Sequence, residues 1–465
     1  MKTFYRATLL AVSLAGASSA ALADDPAQAA LIERGRTLAV AADCQACHRS
    51  KDDAQHLPFS GGYAIDSPMG AIVASNITPS LSQGIGHYSE AQFAAALRDG
   101  VRANGAHLYP AMPYTAYRGL SDADVQALYA YFMHGVTPVD QPVAETRLAF
   151  PFNQRWLMAG WNLLFLKGQP AAAAPVDTLA RGRYLVDNLA HCGTCHTPRN
   201  ALMAESAGSY LGGGSVGGWY APNITSDPVS GIGAWSDADL LGYLRDGHAS
   251  GKGQAGGGMA EAVEHSLRHL PDADLQAMLA YLRQVPPIRD ASQQAQRSSF
   301  KGDTSTLASL EAPLERTPAA LTDASSLDGE RLYNGACASC HQPDGRGTAE
   351  QFYPSLSHNS ATGDSRADNL VMAIAQGVER ETNGYKVSMP AFAGQLSDAQ
   401  IAAVSNYVLQ RFGNASLKVD AQRVAELRHG GPTPWLVRAT PWLMGLAAVV
   451  LALILLLGGR WLRRR

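Results

Sequence analysis

Cys44-Gln45-Ala46-Cys47-His48, Cys192-Gly193-Thr194-Cys195-His196 and Cys337-Ala338-Ser339-Cys340-His341 are three copies of one C-x-x-C-H pentapeptide, and together they use all six cysteines of the chain. Two thiols three residues apart on one helical turn can each add to a vinyl group of the same porphyrin. The adjacent imidazole then lies beneath the ring, where it can ligate the iron, and this is the signature of covalently attached haem c. A structural zinc site would draw a second C-x-x-C to the same ion. A redox dithiol or a structural disulfide needs no histidine at all. None of these readings explains a His after every pair.

The motifs are evenly placed. Cys44 and Cys192 are 148 residues apart, and Cys192 and Cys337 are 145 apart, so three similar units follow one another. Each opens with a short amphipathic segment, namely Arg34-Gly35-Arg36-Thr37-Leu38, Arg181-Gly182-Arg183-Tyr184-Leu185 and Asp328-Gly329-Glu330-Arg331-Leu332-Tyr333. Each closes with a helical pattern, over Leu120 to Tyr131, Leu270 to Tyr281 and Leu396 to Tyr407. Ser121 and Ser397 suit N-caps, with Asp124 and Gln400 at the third position after them for a capping box. Middle helices are expected over Ser89 to Val101, Ser236 to Gly247 and Arg366 to Val378. The first two units share Asn76-Ile77-Thr78 with Asn223-Ile224-Thr225, and Gly84-Ile85-Gly86 with Gly231-Ile232-Gly233; the third lacks both. Asn76-Ile77-Thr78 matches a glycosylation acceptor, but a tight loop beside the porphyrin suits the context better. Composition places linkers at Gln169 to Val176, Ala291 to Ser326 and Gly430 to Pro441.

Haem iron held by His on one side usually takes Met or a second His on the other. Tyr109-Pro110-Ala111-Met112-Pro113 and Ser388-Met389-Pro390-Ala391-Phe392 each present a thioether in a proline-stiffened segment before a closing helix. In the second unit the corresponding residue is Met259, within Gly257-Gly258-Met259-Ala260-Glu261, which has no proline. Spacing supports it, since His48 to Met112 is 64 residues and His196 to Met259 is 63, against 48 from His341 to Met389. The expected iron ligands are therefore His48 with Met112, His196 with Met259, and His341 with Met389. Met133, Met278 and Met372 fall in helical patterns and read as core. His107, His265 and His269 are the substitute ligands should a methionine fail.

The two ends bound the location. Met1-Lys2 to Arg6, the apolar run Ala7 to Gly16 and Ala21-Leu22-Ala23 before Asp24 fit a secretory signal, residues 1–23. Trp442 to Gly459 carries no charge and is followed by Arg460, Arg463, Arg464 and Arg465, the pattern of one transmembrane helix with its arginines on the cytoplasmic side. The expected localisation is a single pass through the inner (cytoplasmic) membrane with the haem domains on the periplasmic side.

The chain has 465 residues, 17% of them charged, and a net charge of -3. Nothing here suits nucleic acid. No glycine-rich dinucleotide fingerprint, P-loop or second metal cluster is present, and iron closed by His and Met has no open position for substrate. The expected fold is mainly α: three tandem class I-type cytochrome c domains over 28–138, 177–288 and 325–412, followed by one C-terminal transmembrane helix over 442–459.

The residues just quoted, above all Cys192 to Arg199, Asn223-Ile224-Thr225, Gly231-Ile232-Gly233, Met259-Ala260-Glu261 and the closing helices, make the chain resemble the triple-haem cytochrome c subunits of membrane-bound bacterial dehydrogenases, the family serving alcohol, gluconate, sorbitol, fructose and aldehyde dehydrogenases. The resemblance covers roughly residues 30 to 412. It implies an electron-transfer subunit with three covalently bound haem c and no substrate chemistry of its own. Electrons would arrive from a dehydrogenase catalytic subunit dependent on flavin, pyrroloquinoline quinone or molybdenum and leave to ubiquinone or a terminal oxidase. It also implies His48, His196 and His341 as proximal ligands and Met112, Met259 and Met389 as distal ones. Two alternatives stay open: the cytochrome c subunit of a terminal oxidase or nitric oxide reductase, and a haem enzyme such as a peroxidase with an open iron. Three tandem domains with the Asn-Ile-Thr and Gly-Ile-Gly loops favour the dehydrogenase family.

Overall fold

A computed structural model of the chain describes residues 26–51, 57–170, 173, 175, 177–302, 325–381 and 386–464. The expected secretory signal lies outside the described residues. Three helical units follow in order. Each has an opening helix (Pro26–Ala41, Thr178–Tyr184, Gly329–Ala336), a short motif helix (Cys44–His48, Gly193–His196, Ala338–His341), a middle helix (Glu90–Asp99, Asp237–Asp246, Asp368–Gln376) and a closing helix (Asp122–Ala130, Asp272–Leu282, Asp398–Phe412). Among the described residues the strands are short and antiparallel: one three-stranded sheet of Ala64–Ile65, Gly70–Val73 and Arg147–Leu148, and three pairs, of which Val378–Glu381 with Lys386–Met389 is the longest. The mainly α expectation holds.

One contact repeats three times and sets the architecture. The opening and closing helices cross at a glycine: a Cβ on Gly35 would stand 1.9 Å from the Ala127 carbonyl oxygen, one on Gly182 1.8 Å from that of Ala277, and one on Gly329 2.4 Å from that of Ala403. Only a residue without a side chain lets the two backbones approach that closely. Beside the crossing, Arg34 donates to Asp124 at 2.7 Å and Arg181 forms a bidentate pair with Asp274 at 2.9 and 2.8 Å. The third unit uses its equivalent position otherwise, with Asp328 accepting from the Glu330 and Arg331 backbone N–H groups as an N-cap.

The caps follow the sequence with one exception. Ser89, Ser236 and Ser397 form complete capping boxes with Gln92, Asp239 and Gln400. Ser121 accepts from the Asp124 backbone N–H, but the Asp124 carboxylate does not reach back. It is 1% exposed and binds Arg34 and, across the domain boundary, the Tyr184 hydroxyl at 2.6 Å. A buried carboxylate needs charge-assisted partners more than the helix needs a second cap bond.

The first two domains share one apolar core, in which Leu38, Leu120 and Leu128 pack with Leu185, Leu189, Leu275 and Met278. The third has its own core around Leu332, Tyr333, Met372, Ile401 and Phe412. The first part of the expected linker, residues 291–302, is instead a packed strap; residues 303–324 of it lie outside the described residues. Arg297 is buried and donates to the carbonyls of Ser230 and Asn223, while Gln293 receives the Ser365 N–H at 2.7 Å. The strap therefore fastens the second domain to the third; its polar composition reflects hydrogen bonding to two partners.

After the third core, the helix Ala421–Arg428 packs back, Arg423 gripping Asp368 at 2.8 and 2.9 Å. The terminal helix begins earlier than expected, spanning Trp435–Leu462 with Pro441 inside it, so the linker before it ends at Pro434. Pro441 has no N–H to give the Val437 carbonyl, so the helix forgoes one i→i−4 hydrogen bond in its second turn. This helix has a mean hydropathy of 2.5 over its most apolar window, none of that window is buried, and it is long enough to cross a membrane.

Candidate functional site: three motif histidines held at both ends

Each motif histidine is fixed by the same two hydrogen bonds. His48 Nδ1 lies 2.7 Å from the Ser75 carbonyl oxygen, His196 Nδ1 2.6 Å from that of Pro222, and His341 Nδ1 2.9 Å from that of Pro354. A carbonyl only accepts, so Nδ1 carries the proton and Nε2 keeps its lone pair. The backbone carbonyl of each histidine accepts in turn from a glycine N–H, Gly61 at 2.9 Å, Gly213 at 2.7 Å and Gly347 at 3.0 Å. All three glycines are in left-handed backbone, with φ of 72°, 100° and 66°. A Cβ on any of them would meet other atoms at 2.4 Å or less.

Burial keeps the three imidazoles neutral, pushing His196 down to about 4 and lowering His48 and His341 as well; the Arg297 charge adds to the effect on His196. Burial also pushes the Cys44, Cys192 and Cys337 thiols up to about 12. No disulfide joins any two of the six cysteines, and among the described residues no group of three or more His, Cys, Asp or Glu side chains is placed to hold a metal ion. The zinc and disulfide readings therefore find no support in the geometry. Paired thiols with one Nε2 lone pair, its tautomer fixed by a carbonyl, are the donor set that covalent haem requires.

The shared loops of the first two domains lock the histidine side, since Asn76 and Asn223 directly follow the Ser75 and Pro222 carbonyls that hold His48 and His196. Asn76 Oδ1 accepts from both the backbone N–H and the hydroxyl of Thr78, at 2.9 and 2.7 Å, and Asn76 Nδ2 donates to the Val139 carbonyl. Asn223, Thr225 and Ile288 repeat this network at 2.8, 2.7 and 2.6 Å. Gly84 and Gly231 sit against it, since a Cβ on either would stand 2.1 Å from the Thr78 or Thr225 carbonyl oxygen. Asn76 is 3% exposed, which is incompatible with a glycan on the folded chain.

The methionines stand in three different settings. Met112 lies in a turn, its N–H donating to the Tyr109 carbonyl, Met259 is in the first turn of the helix Gly258–His265, and Met389 ends the strand Lys386–Met389. Met112 and Met259 pack on the first core and Met389 on the second, each partly buried. Met278 and Met372 are fully buried core residues, as expected. Arg199 donates to the Thr194 carbonyl at 2.6 Å and faces Glu205.

The sites are joined. Arg49, next to His48, pairs with Glu261 on the Met259 helix at 3.1 Å. The Met259 helix also packs against the motif helix Cys44–His48. Between the second and third domains, a Cβ on Gly256 would touch Val378 at 3.4 Å, and Val378 is the strand partner of Met389. The histidine-holding glycines and these cross-domain contacts escape sequence reasoning. The available signal was a glycine 13 residues after His48 and 17 after His196, a spacing that means nothing until the loop is folded.

The family model described as "Cytochrome c" matches the chain three times, at residues 32–135, 179–286 and 326–411. The chain is 46% identical to the fructose dehydrogenase cytochrome subunit of Gluconobacter japonicus over 96% of this chain and 94% of that one. It is 40% identical to the gluconate 2-dehydrogenase cytochrome c subunit of Pantoea cypripedii, over 90% and 95%. With the cytochrome c subunit of the quinone alcohol dehydrogenase of Gluconobacter oxydans it shares 35%, over 94% and 90%.

Proposed function

The chain belongs to the cytochrome c family, among the cytochrome c subunits of bacterial dehydrogenases, and from that premise we propose that it relays electrons from a dehydrogenase catalytic subunit to ubiquinone or a terminal oxidase, performing no substrate chemistry itself. It is an electron-transfer subunit with three covalently bound haem c. The observation that carries the reading is the repeated fixing of each histidine by a carbonyl at Nδ1, at 2.7, 2.6 and 2.9 Å.

Haem bound at these motifs supplies a one-electron carrier. The residues do the rest. Cys44 and Cys47, Cys192 and Cys195, and Cys337 and Cys340 hold it covalently. His48, His196 and His341 present Nε2 from rigid backbone, so little rearrangement accompanies a change of charge. Met112, Met259 and Met389 would be the second ligands of the three haems, soft and polarisable thioethers that would raise the potential and exclude other ligands. Domain limits of 28–138, 177–288 and 325–412 agree with this division of labour.

The joined sites support an order in space with the second haem in the middle. The Arg49 to Glu261 pair brings the first two together, and the Gly256 to Val378 contact joins the distal loops of the second and third. The third domain leads directly to the terminal helix, which we assign as a single pass in the inner membrane with the haem domains on the periplasmic side. The arginines after Gly459 support that orientation.

Solubilising the native complex from membranes and identifying the large subunit that co-purifies tests the partner. A dehydrogenase whose substrate reduces this chain, followed by oxidation with a ubiquinone analogue, is the expected result. Co-purification with oxidase subunits alone would overturn the donor assignment.

A further inference from the structure

The distal wall of the second domain is completed by the third. In the first domain, the middle helix ends at Gly100 in left-handed backbone, φ 63°, and Leu108 donates to the Gly100 carbonyl at 2.7 Å. A Cβ on Gly100 would meet the ring of Tyr114 at 2.7 Å. That tyrosine follows Met112 by two residues, is fully buried, and donates to Asn162 Oδ1 at 2.8 Å. The first domain thus braces its own methionine segment with Pro113 and Tyr114.

The second domain has the same frame and a different filling. Its middle helix ends at Gly247, φ 68°, and Ala255 donates to the Gly247 carbonyl at 2.8 Å. Two residues after Met259 stands Glu261, which turns away to Arg49. The place of Tyr114 is taken by Arg380 of the third domain: a Cβ on Gly247 would stand 2.5 Å from Arg380 Nε. Arg380 is 1% exposed and donates to the Ala255 carbonyl at 2.7 Å and to Gln254 Oε1 at 3.0 Å. On the next residues, the Trp219 ring covers Gly257, and its Nε1 donates to Gln376 Oε1 of the third domain at 3.0 Å.

We propose that Arg380 is a positioning residue for Met259, holding the Gln254 to Gly258 segment so that the third domain sets the distal ligation of the second haem. This rests on the reading of Met259 as that ligand. A thioether is a weak ligand, and Gly256, Gly257 and Gly258 leave its segment with more backbone freedom than any other residue type would. The two hydrogen bonds from a buried guanidinium remove that freedom from outside, where Pro113 and Tyr114 do so from within in the first domain. The second haem's potential is thereby coupled to the seating of the third domain.

The test uses the full chain with its three haems, carbon monoxide as probe of an open iron, the near-infrared band of methionine ligation, and a redox titration. Met259→Ala identifies the component belonging to the second haem: that haem alone gains carbon monoxide binding, and its potential falls. Arg380→Met, which fills the space without donating, is expected to open the same haem and lower the same component while all three haems remain attached. Arg380→Lys, keeping the charge with a single compact donor, is expected to give an intermediate effect. Three-haem Arg380→Lys and Arg380→Met chains with unchanged potentials and no carbon monoxide binding would overturn the positioning role, as would an unaltered Arg380→Lys chain if Arg380→Met does not accumulate. A Met259→Ala chain with unchanged potentials would instead overturn the ligand reading, and the positioning role with it.

Discussion

Gly182 lies so close beneath Ala277 that a methyl group on it would stand 1.8 Å from the Ala277 carbonyl oxygen. The crossing of opening and closing helices in the second domain depends on that approach. Gly182→Ala is expected to destabilise the protein by about 3 kcal/mol, the upper range for overpacking. Gly329→Ala, whose methyl would meet Ala403 at 2.4 Å, should cost less. Denaturant midpoints of the two variants check the order, and equal midpoints would contradict the crossing as the limiting contact.

The Asn-Ile-Thr clasps are the same device used twice. Asn223→Ala leaves the Thr225 N–H and the Ile288 carbonyl without partners and removes the acceptor of the Thr225 hydroxyl proton, at a cost of about 1–3 kcal/mol. Asn76→Ala should cost about as much. Within one clasp, Asn223→Ala and Thr225→Val are expected to be non-additive by thermal unfolding, because they break one network. Additive losses would mean that the two side chains act independently.

Asp43 supplies a pH dependence. It precedes Cys44, its Oδ1 meets no donor among the described residues, and burial, helped by nearby Glu261 and opposed by Arg49, pushes its carboxyl up to about 8. The unfolded chain loses this proton near 3.8, the ordinary value for an aspartate, whereas the folded chain keeps it to about 8. The folded state therefore binds more protons between those values, and stability falls as pH rises through that window and levels above it. Asp43→Asn should remove this slope and stabilise the protein at pH ~7 by up to about 4 kcal/mol. Urea midpoints at several pH values measure it; an unchanged slope would refute the assignment.

Tyr184 bridges two domains through one hydroxyl, donating to Asp124 at 2.6 Å and accepting from the Ser121 N–H at 3.0 Å. Tyr184→Phe leaves both groups short of a partner in a buried interface and is expected to cost about 2 kcal/mol. Hydrogen exchange should quicken at the start of the helix Asp122–Ala130. Protection equal to the unaltered chain would contradict a bridging role.

Removing the residues from Trp435 onward should move the protein from the membrane fraction to the soluble one with its three haems intact, because the helix Trp435–Leu462 has an apolar window with no burial against the rest of the chain. Haem-stained fractions report the outcome. Full retention on membranes would point to another attachment surface.

What the sequence reveals and what it hides divides along range. The motifs, the closing helices and the Ser397 to Gln400 box are local, carried by residues a few positions apart, and they are legible directly. The role of Gly182 depends on Ala277, and that of Gly213 on the carbonyl of His196 across a folded loop, so neither glycine can be told from a turn glycine in advance. The polar stretch from Ala291 reads as a linker because composition does not show that Arg297 and Gln293 face two domains at once. Met259 looks weak for the same reason: its missing proline is offset by Arg380, 121 residues further on. The Asn76 and Asn223 loops, by contrast, are visible as a repeat, and folding supplies only their bonding.

If the proposed relay is closed, all three haems are six-coordinate and none offers an open iron. Carbon monoxide titration of the fully reduced, full-length chain tests it most directly. The account predicts three haems per chain and carbon monoxide binding at none of them; stoichiometric binding at any one haem of the unaltered chain would reveal an open iron and contradict it.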